Sequence, residues 1–216
     1  MNSLEDYFCE LTGREGKPVA KLASRWPHGE ITSIARCVRS AFRRSGFDRE
    51  PLMVDSKISG PAMGNRLADH FASQLDRQLR IFRIQKCAGQ GYPDRRLVRV
   101  SNNRSYALEL KATRSFEPKS THRVILTCSS GKLQRHFVAP INHLLLTVFY
   151  RKQGNKVWIQ NFRLDFLEPT TKVNVRLEAS VSHHLLANSP HLSFWGLKQS
   201  QPVKAPREQQ PMIELS

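Results

Sequence analysis

The sequence predicts a single α/β (α+β) domain in which a central mixed β-sheet is flanked by helices. Two patterns carry that expectation. Apolar residues recur at helical spacing through the first part of the chain, and after "DRQLR" they change to short apolar runs separated by turns. The length of 216 residues is enough for one full hydrophobic core, and 39% hydrophobic with 24% charged residues suits a globular chain.

The first strong element is "EITSIARCVRSAFRRSGF". Ile31, Ile34, Ala35, Val38, Ala41 and Phe42 fall on one stripe, Arg36, Arg39, Arg43 and Arg44 fall off it, and Gly46 ends it. The arginine face is either simply solvated or in contact with a phosphate backbone. Residues 47–63 hold Pro51, Gly60 and Pro61 without a period and read as a loop. "NRLADHFASQLDRQL" follows as a helix, with Asn65 as its candidate N-cap and Leu67, Phe71, Leu75 and Leu79 on one side.

The strands come next: "RLVRV" and "YALELKA" about the turn "SNNRS", then "HRVILTCSS", "NHLLLTVFYRK" and "KVWIQNFRLDFLE", the last two joined by "QGN". Nearly continuous apolar runs among them suit central strands covered on both faces. "RLEASVSHHLLA" reads as a final helix. Residues 1–197 thus form one domain, with 1–63 its N-terminal helical part and 64–197 its core. Residues 198–216, rich in Pro and Gln, read as a flexible tail.

Charge narrows the function. Lys and Arg total 34 against 18 Asp and Glu, a net charge of +16 and a pI near 10.3. The cations are spread along the chain, so the folded body itself should attract polyanions, nucleic acid first. No apolar run is long enough to span a membrane and no signal peptide opens the chain, which predicts a cytoplasmic protein. Cys9, Cys37, Cys87 and Cys128 include no C-x-x-C pair and read as reduced, mostly buried thiols.

Against that basic background, the acids of "GYPDRRLVRVSNNRSYALELKAT" stand out. Pairing Val100 with Ser105 sets Arg96 opposite Glu109 and Asp94 opposite Lys111. Asp94, Glu109 and Lys111 then project from one face, and Leu97, Leu108 and Leu110 from the other, into a core. Two carboxylates converging beside a lysine suit metal-assisted phosphodiester hydrolysis. The plain alternative is a half-exposed hairpin with a cross-strand ion pair. An acid-x-Lys triplet alone says little, since Glu15-Gly-Lys17, Asp55-Ser-Lys57 and Glu117-Pro-Lys119 also occur. Only Glu109-Leu-Lys111 lies inside an apolar strand, and the one Pro-Asp of the chain lies fifteen residues before its Glu.

Pro93-Asp94, fourteen intervening residues and Glu109-Leu110-Lys111 resemble the PD-(D/E)xK nuclease motif, particularly that of type II restriction endonucleases. In outline the likeness runs from about Gly64 to Arg151. It implies a restriction-endonuclease-like core, Mg²⁺-dependent cleavage of double-stranded DNA (with Mn²⁺ able to substitute) and usually a homodimer. By carry-over Asp94 and Glu109 would hold the metal together with the main-chain carbonyl of Leu110, and Lys111 would be the catalytic lysine. Relatives often carry a Glu a few residues after a Gly-Asn pair. Here Gly64-Asn65 is present, but Ala68 stands at the Glu position, which leaves Asp69 as an accessory acid or a solvated helix residue.

The polar loop "SSGKLQRHF" offers Ser130, Lys132, Gln134 and Arg135 for phosphates or base edges. His136 and His143 read better as satisfied structural histidines than as general bases. Three functions follow: a site-specific restriction-type endonuclease, a structure-specific repair or recombination nuclease of the same fold, and a non-catalytic basic DNA- or RNA-binding protein.

Overall fold

The computed structural model describes residues 2–13, 21–88, 92–114, 125–128, 139–177, 183–187 and 193–195. Its helices are α1 (Leu4–Gly13), α2 (His28–Arg44) and α3 (Gly60–Gln78). The strands are β1 (Asn2–Ser3), β2 (Leu52–Met53), β3 (Phe82–Lys86), β4 (Arg95–Arg99), β5 (Ser105–Thr113), β6 (Ile125–Cys128), β7 (His143–Gln153), β8 (Lys156–Leu167), β9 (Lys172–Leu177), β10 (His183–Ala187) and β11 (Ser193–Trp195).

The main sheet is mixed, in the order β11-β8-β7-β5-β4-β3, with β2 also pairing with β8. Only β5 and β7 are parallel in it; the other pairs are antiparallel. Side-chain alternation divides its faces. Tyr106, Leu108 and Leu110 of β5, with Leu144, Leu146 and Val148 of β7, join Ile34, Val38 and Phe42 of α2 and Leu67, Phe71 and Leu75 of α3 in one core. The alternate residues Ala107, Leu145 and Leu167 meet Leu4, Tyr7 and Phe8 of α1 in a second, smaller core on the opposite face. Trp26 ties the loop before α2 to the sheet: its indole N–H is shared between the carbonyls of His143 and Leu167, both at 3.1 Å, and its ring stacks on Tyr106.

The stripe expected for "EITSIARCVRSAFRR" is buried as read, and Gly46 follows the helix at φ 65°. Other expectations are corrected. α3 starts at Gly60 and not at Asn65; Ser59 is its N-cap, with Oγ accepting from Ala62 N at 3.4 Å. Pro61 fits the first turn because the N–H it lacks would have no helical partner there. Residues 52–53, placed in a loop by sequence, add a short strand to β8. The final helix expected over "RLEASVSHHLLA" is replaced, where described, by the end of β9 and by β10. These two strands pair with each other, β10 also pairs with β6, and β9 also pairs with β1, so β6 lies in a separate four-stranded sheet and not in the central one. Long-range pairing outweighs local helix preference here, as it does wherever strand partners are at hand.

Candidate active site

The β4–β5 hairpin differs in register from the sequence expectation by two residues. Ser105 pairs with Val98, Arg96 with Ala107 and Arg95 with Leu108. The reason lies at the turn. Arg99 N donates to Arg104 O to close the hairpin, Asn103 takes a left-handed φ of 54°, and Val100 turns away to donate its N–H to Ile81 O. A two-residue shift keeps every side chain on its predicted face. It also carries Asp94, just ahead of β4, from opposite Lys111 to opposite Glu109.

The two acids and the lysine come together. Glu109 is 1% exposed, and its Oε2 accepts from the Asp94 main-chain N–H at 3.3 Å. The Lys111 ammonium lies 2.6 Å from Glu109 Oε1, two residues along the same strand face. Burial pushes the Glu109 carboxyl up to about 7; the Lys111 charge pulls it down, and the Asp94 carboxylate pushes it up again. Asp94 is half-buried.

The backbone orients the third expected ligand. Ala107 N donates to Asn142 O, so the odd-numbered peptide groups of β5 turn toward β7 and the even-numbered ones toward β4. Leu110 therefore turns its carbonyl to the β4 side, beyond Arg95, where β4 pairing has stopped. Continued into that gap, the register sets Pro93 opposite Leu110, and proline has no N–H to donate. Among the described residues no group of three or more His, Cys, Asp or Glu side chains could hold a metal ion. The donors present are two carboxylates and one carbonyl. An all-oxygen set of that size fits Mg²⁺, which keeps several waters and uses few protein ligands.

Asp69 stands apart from this group. It is paired with Arg95, whose side chain shares a sheet face with Leu108 and so lies on the α3 side, away from Glu109. Ser130, Lys132, Gln134, Arg135 and His136 lie outside the described residues. His143 is fully buried. Its Nε2 lies 2.9 Å from Leu22 O, an acceptor, and its Nδ1 is hydrogen-bonded to the Tyr92 hydroxyl. Burial lowers its pKa to about 4, which suits a neutral structural imidazole.

Sequence reasoning missed the neighbours on the same face. Across the sheet Glu109 aligns with Leu145 and then Asp165, and Lys111 with Thr147 and then Arg163. Asp165 Oδ1 accepts from Arg163 Nε at 3.0 Å and Nη2 at 2.6 Å, and both residues are buried. The signal was an Arg-x-Asp inside the apolar run "FRLDFL", but only the register shows that it shares a face with Glu109. No protein-family model matches the chain, and no curated protein matches it.

Proposed function

We propose that the protein is a Mg²⁺-dependent endonuclease of the type II restriction kind, hydrolysing phosphodiester bonds of double-stranded DNA at a specific short sequence. One observation carries the reading: a carboxylate 1% exposed, Glu109, held between the Lys111 ammonium and the Asp94 main chain inside a chain of net charge +16. Burying an acid with a second acid nearby is costly. A divalent cation between them would offset that cost, and the approach of a phosphodiester to a basic protein supplies the occasion for it.

Asp94, Glu109 and the Leu110 carbonyl would hold the ion. When bound, it polarises the phosphoryl oxygen and lowers the pKa of a coordinated water. Lys111 works on the substrate side: its ammonium orients the attacking water and stabilises negative charge growing on the phosphoryl oxygens. Glu109 keeps Lys111 aimed through their 2.6 Å contact. Cutting both strands needs two such sites, which a two-fold homodimer would supply.

The test is a digest of fully sequenced, unmodified DNA with Mg²⁺, with Mn²⁺ and with EDTA. Discrete fragments that require the metal support the reading. A metal-dependent smear or nicking would keep the chemistry but favour a repair or recombination nuclease. Intact DNA across several unmodified substrates, still shifted on a gel, would leave a binding protein.

A further inference from the structure

A cavity of about 300 Å³ opens on the other side of the main sheet, between α3 and the β3–β4 edge. Its wall carries three cations: Arg77 from the last turn of α3, Lys86 at the end of β3 and Arg95 at the start of β4. Lys86 and Arg95 are direct cross-strand partners. Like charges set opposite each other on paired strands destabilise the pair, so the arrangement calls for a compensating anion.

The acids of the cavity supply part of it. Asp69 binds Arg95 but is itself 61% exposed, and Asp76 is tied to the main chain, its Oδ1 accepting from Ile84 N at 2.6 Å. Neither meets Lys86 or Arg77 in any described ion pair. Arg95, with a side chain 11% exposed, has its Nε buried without a hydrogen-bond partner. With Nε closed off, only the outer end of the guanidinium can meet a ligand in the cavity, in the planar fork geometry that suits a phosphate. Ser73 adds a hydroxyl to the wall.

We propose that this cavity binds a phosphate group, seated between Lys86, Arg95 and Arg77. The two phosphate sources that fit are a nucleic-acid backbone and a free phosphate or phosphomonoester. Location favours the backbone. Asp94 and Arg95 are consecutive and project from opposite faces of the same strand end, so the cavity and the carboxylates share one end of the sheet. A duplex lying across that end would pass both.

The site stands whether or not the chain cleaves DNA, and the test is run in EDTA to keep the two questions apart. Main-chain amide shifts of the full chain are followed by NMR while inorganic phosphate, balanced with chloride for ionic strength, or a short DNA duplex is titrated in. The expected result is a saturable shift at Ser73, Arg77, Ile84, Lys86 and Arg95, weakened about tenfold or more by Lys86→Met and by Arg77→Met. Both side chains are exposed, so the variants should fold. Saturation by inorganic phosphate identifies a free-phosphate site, and saturation by the duplex alone identifies a backbone contact. No saturable shift with either probe, or an affinity that both substitutions leave unchanged, overturns the proposal.

Discussion

The Lys111 ammonium lies 2.6 Å from Glu109 Oε1, on a carboxylate that is 1% exposed. This contact joins the electrostatics of the fold to those of the site. The lysine offsets only part of the burial cost, and the Glu109 carboxyl still sits at about 7.

Glu109→Gln should therefore stabilise the metal-free protein in alkaline buffer. The folded carboxyl titrates above its unfolded value, so the native state binds the proton more tightly and loses stability as pH rises between the two values. The gain on substitution should be on the order of 2 kcal/mol near pH 8 and should vanish near pH 4. Urea titrations of both proteins across that range measure it. A glutamine variant less stable than the parent at alkaline pH would contradict the assignment.

Metal binding should follow the same proton. Because Glu109 would have to be ionised to act as a ligand, the Mg²⁺ dissociation constant should rise about tenfold for each pH unit that the pH is lowered below 7 and stay level above it. Calorimetric titration at several pH values gives the slope. A flat profile would place the ion away from Glu109.

His143 should stay neutral far into acid, with its proton on Nε2. That nitrogen faces the Leu22 carbonyl, which can only accept, so Nδ1 is left to accept from the Tyr92 hydroxyl. Imidazole nitrogen shifts should show that single tautomer down to about pH 5. Because the folded pKa of about 4 lies below the unfolded one, His143 favours folding above the ordinary histidine range, and that contribution is lost as pH falls toward 4.

A further prediction concerns Glu30, which fastens α2 to the hairpin. Its Oε2 accepts from Arg99 Nη2 and from the Tyr106 hydroxyl, both at 2.7 Å. Burial alone would raise its pKa, but those two donors outweigh it and hold the carboxyl low. Glu30→Gln should cost about 2 kcal/mol at neutral pH, the worth of a hydrogen bond to a charged group. The difference should shrink as pH falls through the carboxylate range, because protonation removes the same charge from the parent. Denaturant midpoints at neutral and acidic pH test it.

The parts of this fold that local pattern determines could be read from the chain. α2 is visible because Ile31 through Phe42 keep a helical period, and β7 and β8 because "HLLLTVFY" and "NFRLDFL" are apolar for longer than a half-exposed strand would be. The grouping of the candidate site was visible for a related reason: alternation fixes faces, so Asp94, Glu109 and Lys111 share one even under a two-residue error in register. What escaped depends on distant partners. β10 reads as helix until β6 and β9 are known to flank it. The start of α3 escapes a local reading because Pro61 looks like a breaker, although proline suits a first turn. Arg163 and Asp165 could be aligned with Lys111 and Glu109 only through β7, which lies between them in the sheet. Asp69 went to Arg95 because α3 packs on the face that Glu109 does not use.

The most direct test of the central claim is the single-turnover cleavage rate of a mapped duplex substrate by the parent protein and by Lys111→Ala, each in Mg²⁺ and each first shown to be folded. In the proposed mechanism Lys111 stabilises charge in the transition state, so its loss should slow cleavage by at least about a hundredfold while leaving duplex binding in EDTA nearly unchanged. Equal rates for the two proteins would contradict the account.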